Sequence, residues 1–281
     1  MQLYNYHSHT ARCGHADPDW TDEDYVKEYI AAGYETFAFT DHAPEKTPVD
    51  LRPRIRMPYA QKDEYLASVR SLRERYADRI RILSGFEVEY SPGREEELFE
   101  LKRETDILIL GQHYVRREGE PEPCYFRKGT CREKDVRLLG EYVERAIELG
   151  LPDIIAHPDH YLLFRNTEFT ATDAETAHRI CRAAAEHDIP LEINLHNILG
   201  CTYRRKGVED DDPFPVQRER MSEISYPRRA FWEIAAEYPV RVLWGMDVHR
   251  RGEIPYFEKL TALAADLLSG VIDKLTFTDR P

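Results

Sequence analysis

The sequence predicts an α/β fold in which parallel strands, joined by helices, close or nearly close into a barrel. Three observations predict it: short β-rich runs alternate with stretches of helical periodicity, about seven such units follow one another, and polar motifs stand just after the runs. Strands that alternate with helices pair in parallel through right-handed crossovers. In a βα-barrel the strand C-termini share the face that carries the active site, so residues far apart in sequence converge on one pocket.

In chain order, Leu3–Tyr6 leads into His7-Ser8-His9, and Thr21–Ala32 then has helical spacing that ends at Gly33, a residue suited to a left-handed cap. Thr36–Phe39 leads into Thr40-Asp41-His42, and the helical stretch Tyr59–Tyr76 separates it from Ile80–Leu83 and Gly85-Phe86-Glu87. Ile107–Leu110 precedes Gly111-Gln112-His113, and Glu133–Leu149 is a helix closed by Gly150. Ile154–Ala156 precedes His157-Pro158-Asp159, followed by helical Thr172–His187 and the run Leu191–Leu195. After helical Pro227–Tyr238, Val240–Trp244 leads into Gly245-Met246-Asp247-Val248-His249, and Pro255–Leu268 is the last helix. Residues 197–226 show no clear element and read as a lid or insertion, while Glu95–Glu97 and Glu209–Asp212 read as solvated acidic faces.

The 281 residues would allow two domains of about 150, but βα-barrels of about 250 residues form one unit, so residues 1–281 are expected to be a single domain. A hydrophobic share of 42% supports a sizeable core. The net charge of −13, from 39 basic and 52 acidic side chains, disfavours a nucleic-acid partner. No apolar stretch approaches the roughly 18 residues that span a bilayer, and the N-terminus lacks a basic flank and apolar segment, so neither membrane nor export is expected and the cytoplasm is the expected compartment. The five cysteines are scattered and form no CxxC pair, which reads as reduced thiols.

A single histidine is more often structural than ligating. Here seven of the 11 histidines, His7, His9, His15, His42, His113, His157 and His249, stand at or just after β-run ends together with Glu87 and Asp247. Imidazole and carboxylate donors suit Zn²⁺, Mn²⁺ or Fe²⁺, and the lack of clustered thiolates argues against iron–sulfur chemistry. Nine such groups exceed the needs of one tetrahedral ion and match two or three ions sharing carboxylates. Three divalent ions beside two ionised carboxylates would leave a charge of about +4, which would attract a phosphate dianion despite the acidic surface.

Taken together, HxH with a further histidine six residues on, TDH, GxE, a later His, HPD and a final DxH resemble the PHP (polymerase and histidinol phosphatase) family, over His7 to His249. Chain length and the segment GFEVEY resemble the stand-alone histidinol-phosphate phosphatase branch more than the polymerase-associated domains. The resemblance implies a distorted TIM-like (β/α)7 barrel with three divalent metal ions. It implies His7, His9, Glu87 and Asp247 on one ion, His15, His42 and His249 on a second, and Glu87 bridging to a third with His113 and His157. Glu89 is the competing carboxylate in GFEVEY; Glu87 is preferred because it directly follows the Gly-x step.

The implied activity is phosphoester hydrolysis by a metal-activated hydroxide, on a small phosphorylated substrate, histidinol phosphate first. Asp247 or a metal-bound water would protonate the departing alkoxide, and Asp41 and Asp159 would orient ligand imidazoles through their second nitrogen. Basic residues expected just after the HPD and EIN segments do not stand there: the stretches read HPDHYLLFRN, with its first arginine at Arg165, and EINLHNILG. Arg165, Arg204 and Arg205 are the nearest arginines to grip phosphate, and His160 and His196 lie close enough to touch substrate. Arg228, Arg229, Arg250 and Arg251 follow strand-end or loop positions from which they could reach the pocket but read first as surface charges, and Tyr114 reads as a residue that could stack on an imidazole. The competing readings are a phosphatase for a nucleotide or sugar phosphate, an amidohydrolase-like C–N hydrolase, and a non-catalytic metal-binding scaffold.

Overall fold

The computed structural model describes residues 3–46, 55–120, 122–126, 131–165, 168–199 and 224–281. Eight strands, β1 (Tyr4–Asn5), β2 (Thr36–Phe39), β3 (Arg81–Val88), β4 (Ile107–Leu110), β7 (Ile154–Ile155), β8 (Leu191–Asn194), β9 (Arg241–Gly245) and β10 (Thr276–Phe277), form one sheet in that order. Every pairing in it is parallel. β5 (Tyr114–Val115) and β6 (Cys124–Tyr125) make a separate antiparallel ladder.

The sheet curls until its ends meet at one rim. The His9 amide donates to the Val248 carbonyl at 2.8 Å and the Val248 amide to the His7 carbonyl at 3.3 Å, so the HxH segment closes against the chain beyond β9. At the opposite rim β10 lies beside β9, and the Tyr4 and Tyr6 hydroxyls donate to the carbonyls of Thr278 and Asp279. This is the expected barrel, distorted at its seam. The expected seven runs become strands; β10, a two-residue strand beyond the last helix, is too short to show alternation.

Helices α1 (Asp22–Ala31), α2 (Lys62–Arg75), α3 (Glu95–Glu104), α4 (Glu133–Glu148), α5 (Ala171–Glu186), α6 (His196–Leu199), α7 (Arg229–Ala235) and α8 (Phe257–Leu267) lie in the connections. Thr21 and Thr170 start α1 and α5 with capping boxes to Asp24 and Asp173, which satisfy amide groups that the first turn leaves unpaired. Gly33 and Gly150 follow α1 and α4 at φ of +83° and +66°, as the caps predicted. Glu95–Glu97, expected as a solvated acidic face, form the first turn of α3, where acidic groups complement the helix dipole.

Side-chain alternation divides the apolar residues into two layers. Phe37, Phe39, Leu108, Leu110 and Ile193 face outward and pack with helix residues such as Tyr29, Val143 and Ile180. Ala38, Ile107, Ile109, Ile154, Ala156 and Leu243 face inward and fill the barrel interior. All four residues of β4 are buried, as expected of a parallel strand covered on both faces. The inward series Leu83, Gly85, Glu87 shows how the filled interior gives way to chemistry: β3 does not stop at Leu83 but runs on to Val88, carrying Glu87 into the barrel mouth.

Candidate metal centre

At the rim where the strands end, the side chains converge on two carboxylates. Glu87 Oε2 lies 2.9 Å from His42 Nδ1, 3.5 Å from His9 Nε2 and 3.7 Å from His7 Nε2. Its other oxygen, Oε1, lies 2.8 Å from His157 Nε2 and 3.5 Å from His113 Nε2. Asp247 Oδ1 stands 3.1 Å from His9 Nε2, 3.3 Å from His7 Nε2 and 3.4 Å from His249 Nδ1. His15 joins through His249, their Nε2 atoms 2.8 Å apart. All nine residues read from the sequence as ligands are therefore gathered in one cluster.

Backbone shape helps to assemble it. His157 and Asp247 adopt positive φ, +28° and +52°, a conformation costly for a residue with a side chain and concentrated at functional sites. The Asp247 turn aims its carbonyl at His249 Nδ1 (2.8 Å) and His196 Nδ1 (3.1 Å). With those nitrogens donating, His249 presents Nε2 to His15. Two glycines leave space for the carboxylates: a Cβ on Gly111 would fall 1.8 Å from Glu87 Oε1, and one on Gly245 1.6 Å from Glu192 Oε1.

Glu192 is a site residue that the motifs did not single out. Its carboxylate accepts from His7 Nδ1 (2.9 Å), the His157 amide (2.9 Å) and Asn194 Nδ2 (2.9 Å), so it fixes His7 with Nε2 turned to the centre. The signal was available in EIN: Glu192 alternates with the outward Leu191 and Ile193. Glu89 has the matching role on the other side, accepting from His113 Nδ1 at 3.0 Å and Arg56 at 2.9 Å. It lies on the same face as Glu87, as an i+2 residue on a continuing strand must, and its oxygen is also close enough to His42 and His113 to share a cation.

The orienting role expected of Asp41 and Asp159 falls instead to Glu192 and Glu89. Asp41 accepts from the Thr10 amide (2.7 Å) and hydroxyl (2.8 Å), holding the turn after HxH. Asp159 accepts from the Arg228 amide (2.7 Å) and Trp232 Nε1 (3.1 Å), tying the HPD segment to α7. Burial pushes both carboxyls up to about 6. Cys13, close to His9 and Asp41, donates its thiol to the Thr10 carbonyl at 2.9 Å, a packed thiol as expected.

The electrostatics suit cations. Burial favours neutral Glu87 and Asp247, yet the surrounding imidazoles, His42, His113 and His7 for the first and His7, His249 and His196 for the second, hold both well below the usual carboxylate range. Burial opposes charge on His7, but Asp247, Glu192 and Glu87 hold it well above its ordinary value. At His15 and His42 burial prevails, at His42 even against the neighbouring Glu87, and the two fall to about 3 and about 4, which leaves them neutral with lone pairs available. Buried Asp247 Oδ1 and His42 Nδ1 have no hydrogen-bond partner, although imidazole or carboxylate atoms surround them. Nε2 atoms facing each other at 2.8 Å and 3.1 Å also need a proton or cation between them. Unpartnered donors of this kind fit divalent ions held by nitrogen and oxygen.

A cavity of about 420 Å³ opens over the cluster, lined by Tyr125, Phe126, Leu163 and Tyr226 and by the polar residues His160, His196 and Arg250. His160 and His196 are thus where the sequence reading put them. Arg165 is not: it binds Glu133 (2.6 Å) and Asp173 (3.1 Å), joining the segment after HPD to α4 and α5. Arg250, read first as a surface charge, is exposed and also lines the cavity, and Tyr114 is fully buried against Tyr125, which supplies the aromatic wall. Arg204 and Arg205 lie outside the described residues, as does most of the segment 197–226 that the sequence offers as a lid or insertion. Its two ends are pinned together, because Asn197 Oδ1 accepts from the amides of Ser225 (2.8 Å) and Tyr226 (3.2 Å).

The chain is similar to known proteins in sequence and in fold. The family model of the PHP domain matches residues 5–196. A Deinococcus radiodurans protein named "Probable histidinol-phosphatase" is 26% identical over 260 residues, 90% of this chain and 89% of its own length. The Bacillus subtilis histidinol-phosphatase is 31% identical over 128 residues, 42% of this chain and 47% of that protein. Among solved structures, the Lactococcus lactis histidinol phosphate phosphatase superposes with a TM-score of 0.66 at 18% identity, covering 96% of this chain and 94% of that one. A Listeria monocytogenes chain assigned to the same activity gives a TM-score of 0.70 at 20% identity over 91% of this chain and 99% of that one. The family model spans well over half of the sequence and includes seven of the nine converging groups, from His7 to His157, together with Glu192, so the chain belongs to the PHP domain family.

Proposed function

We propose that the protein is a metal-dependent phosphomonoester hydrolase acting on histidinol phosphate, releasing histidinol and phosphate. The observation that carries the reading is the gathering of seven imidazoles around Glu87 and Asp247 beneath a cavity large enough for a small phosphorylated molecule. Names of relatives support the substrate, above all the Deinococcus protein aligned over 90% of the chain. The Lactococcus enzyme was solved with zinc, L-histidinol and phosphate, which defines the ligands to try first.

The residues fit three divalent ions. His7, His9 and Asp247 would hold one with Glu87, and His15, His42 and His249 a second. Glu87 would bridge to the third, which His113 and His157 complete, consistent with its two oxygens facing different histidine sets. Bound ions of this class supply a water ionised near neutral pH and positive charge against the phosphoryl oxygens.

The chain's own part is positioning. Glu192 and Glu89 hold His7 and His113 in one tautomer and orientation. Arg250, His160 and His196 face the cavity and would accept a phosphate dianion, and Tyr125, Phe126 and Tyr226 offer faces for an imidazole. Asp247, which lines the cavity, or a bound water would pass a proton to the departing alkoxide. We read residues 1–281 as one domain of the cytoplasm; among the described residues no helix is long and apolar enough to cross a membrane.

The test is phosphate release from histidinol phosphate beside nucleotide and sugar phosphates, with protein reconstituted separately with Zn²⁺, Mn²⁺ and Fe²⁺. A strong preference for histidinol phosphate is expected. Activity on other esters alone would refute the substrate and keep the chemistry, and metal analysis should find three ions per chain.

A further inference from the structure

Two of the scattered cysteines meet beside the cavity wall. Cys124 lies on β6, opposite Val115 of β5, and Cys131 stands two residues before α4; their Sγ atoms are 3.5 Å apart. Forming a bond of about 2.05 Å asks for side-chain movement on the order of 1.5 Å. Their surroundings are anchored: Arg117 binds Asp135 of α4 at 2.7 Å and reaches Cys124 Sγ at 3.0 Å, and Cys131 donates its thiol to the Tyr125 carbonyl at 3.1 Å. Cys131 is partly exposed and Cys124 is buried, so an external oxidant meets Cys131 first. Between them lie Tyr125 and Phe126, which line the cavity.

We propose that Cys124 and Cys131 are a reversible dithiol–disulfide pair, oxidised by small-molecule disulfides such as oxidised glutathione, and that the bond braces the Tyr125–Phe126 wall. In the first step the Cys131 thiolate attacks one sulfur of the oxidant, forming a mixed disulfide and expelling one thiolate. The Cys124 thiolate then attacks Cys131 Sγ and expels the second. Two electrons pass from the pair to the oxidant, whose two thiolates take up the protons that the cysteines lose. Burial and the neighbouring Cys131 push the Cys124 thiol up to about 12, consistent with Cys131 as the first nucleophile.

The pairing stands apart from the catalytic reading; the effect on substrate rests on it. Full-length protein equilibrated with oxidised or reduced glutathione is to be mapped by peptide mass spectrometry, and its kinetics measured on histidinol phosphate. A Cys124–Cys131 cross-link reversed by reductant is expected, with KM changed by about 3-fold or more while kcat and metal content stay within about 2-fold. Cys131→Ser and Cys124→Ala should each keep the reduced protein's KM in both buffers, so loss of folding in one leaves the other to decide. No cross-link, a bond from Cys131 to Cys201 or to another chain, or an oxidised enzyme with unchanged KM would overturn the proposal. A chain that hydrolyses no phosphomonoester with any metal would defeat the catalytic reading, and the mapping would still decide the pair.

Discussion

The division of labour among the carboxylates is set by what each oxygen faces. Glu87 turns both oxygens to imidazoles, whereas Glu89 is already taken by Arg56 and His113 and Glu192 by His7 and the His157 amide. Glu87→Ala should therefore remove one or more ions per chain and nearly all turnover, read by metal analysis and phosphate release. Glu89→Gln should weaken metal binding by about 10–100-fold without abolishing it, as expected for a residue acting through His113; complete loss of an ion at saturating metal would make Glu89 a ligand. Arg165→Ala separates structure from substrate binding. Its guanidinium is committed to Asp173, which is fully buried, and to Glu133, so denaturation should show a loss of about 1–3 kcal/mol while KM stays unchanged. A raised KM in folded protein would restore it to the phosphate site.

Strands deliver these side chains, and their glycines make the delivery possible. Gly111 follows β4 directly, and the Glu87 carboxylate occupies the space where its side chain would be. Gly111→Ala should displace Glu87 and lower metal content as Glu87→Ala does, although residue 111 bears no ligand; wild-type stoichiometry in that variant would show that the carboxylate can move aside. Among the helices, α1 carries a half-buried carboxylate outside the centre. Glu28 accepts from the Gly252 amide at 3.0 Å, its other oxygen is buried without a partner, and burial raises its pKa from 4.5 to about 7. A raised carboxyl pKa means that the folded chain holds the proton more tightly. Its contribution to stability is full below about pH 4.5, declines as pH rises to about 7, and is lost above. Glu28→Gln should then stabilise the protein at pH 8, by on the order of 1 kcal/mol after solvent screening, and hardly at pH 4.5. Equal melting shifts at both pH values would remove burial of Glu28 as the cause.

At the scale of the molecule, the centre ties together segments from β1 to the turn after β9, so ions bound there cross-link the barrel mouth. Saturation to about 100 times Kd stabilises a fold by about 2.7 kcal/mol. Chelation should lower the melting temperature by roughly 5–10 °C in a domain of this size, and zinc or manganese should restore it. A melting temperature indifferent to chelator would mean that the cluster holds no ion. The acidic chain, at −13, keeps this cation site as a local exception.

Much of this was legible in the linear chain, for a physical reason. Local alternation and helical periodicity depend on near neighbours, so the strand–helix order, the caps at Gly33 and Gly150 and the seven histidines with Glu87 and Asp247 at the strand ends could be read directly. A parallel barrel then puts those ends on one face, which is why the nine converge. What the sequence left open depended on direction and distance between segments remote in the chain. Only the folded barrel decides that Glu192 rather than Asp41 or Asp159 steadies an imidazole, that Arg165 faces α5 while Arg250 faces the cavity, and that Cys124 and Cys131 stand in contact. Residue type and spacing determine which chemistry a chain can carry; the side each residue turns to is settled by packing, because a carboxylate or guanidinium buried in the fold must find its partner among whatever the tertiary structure brings beside it.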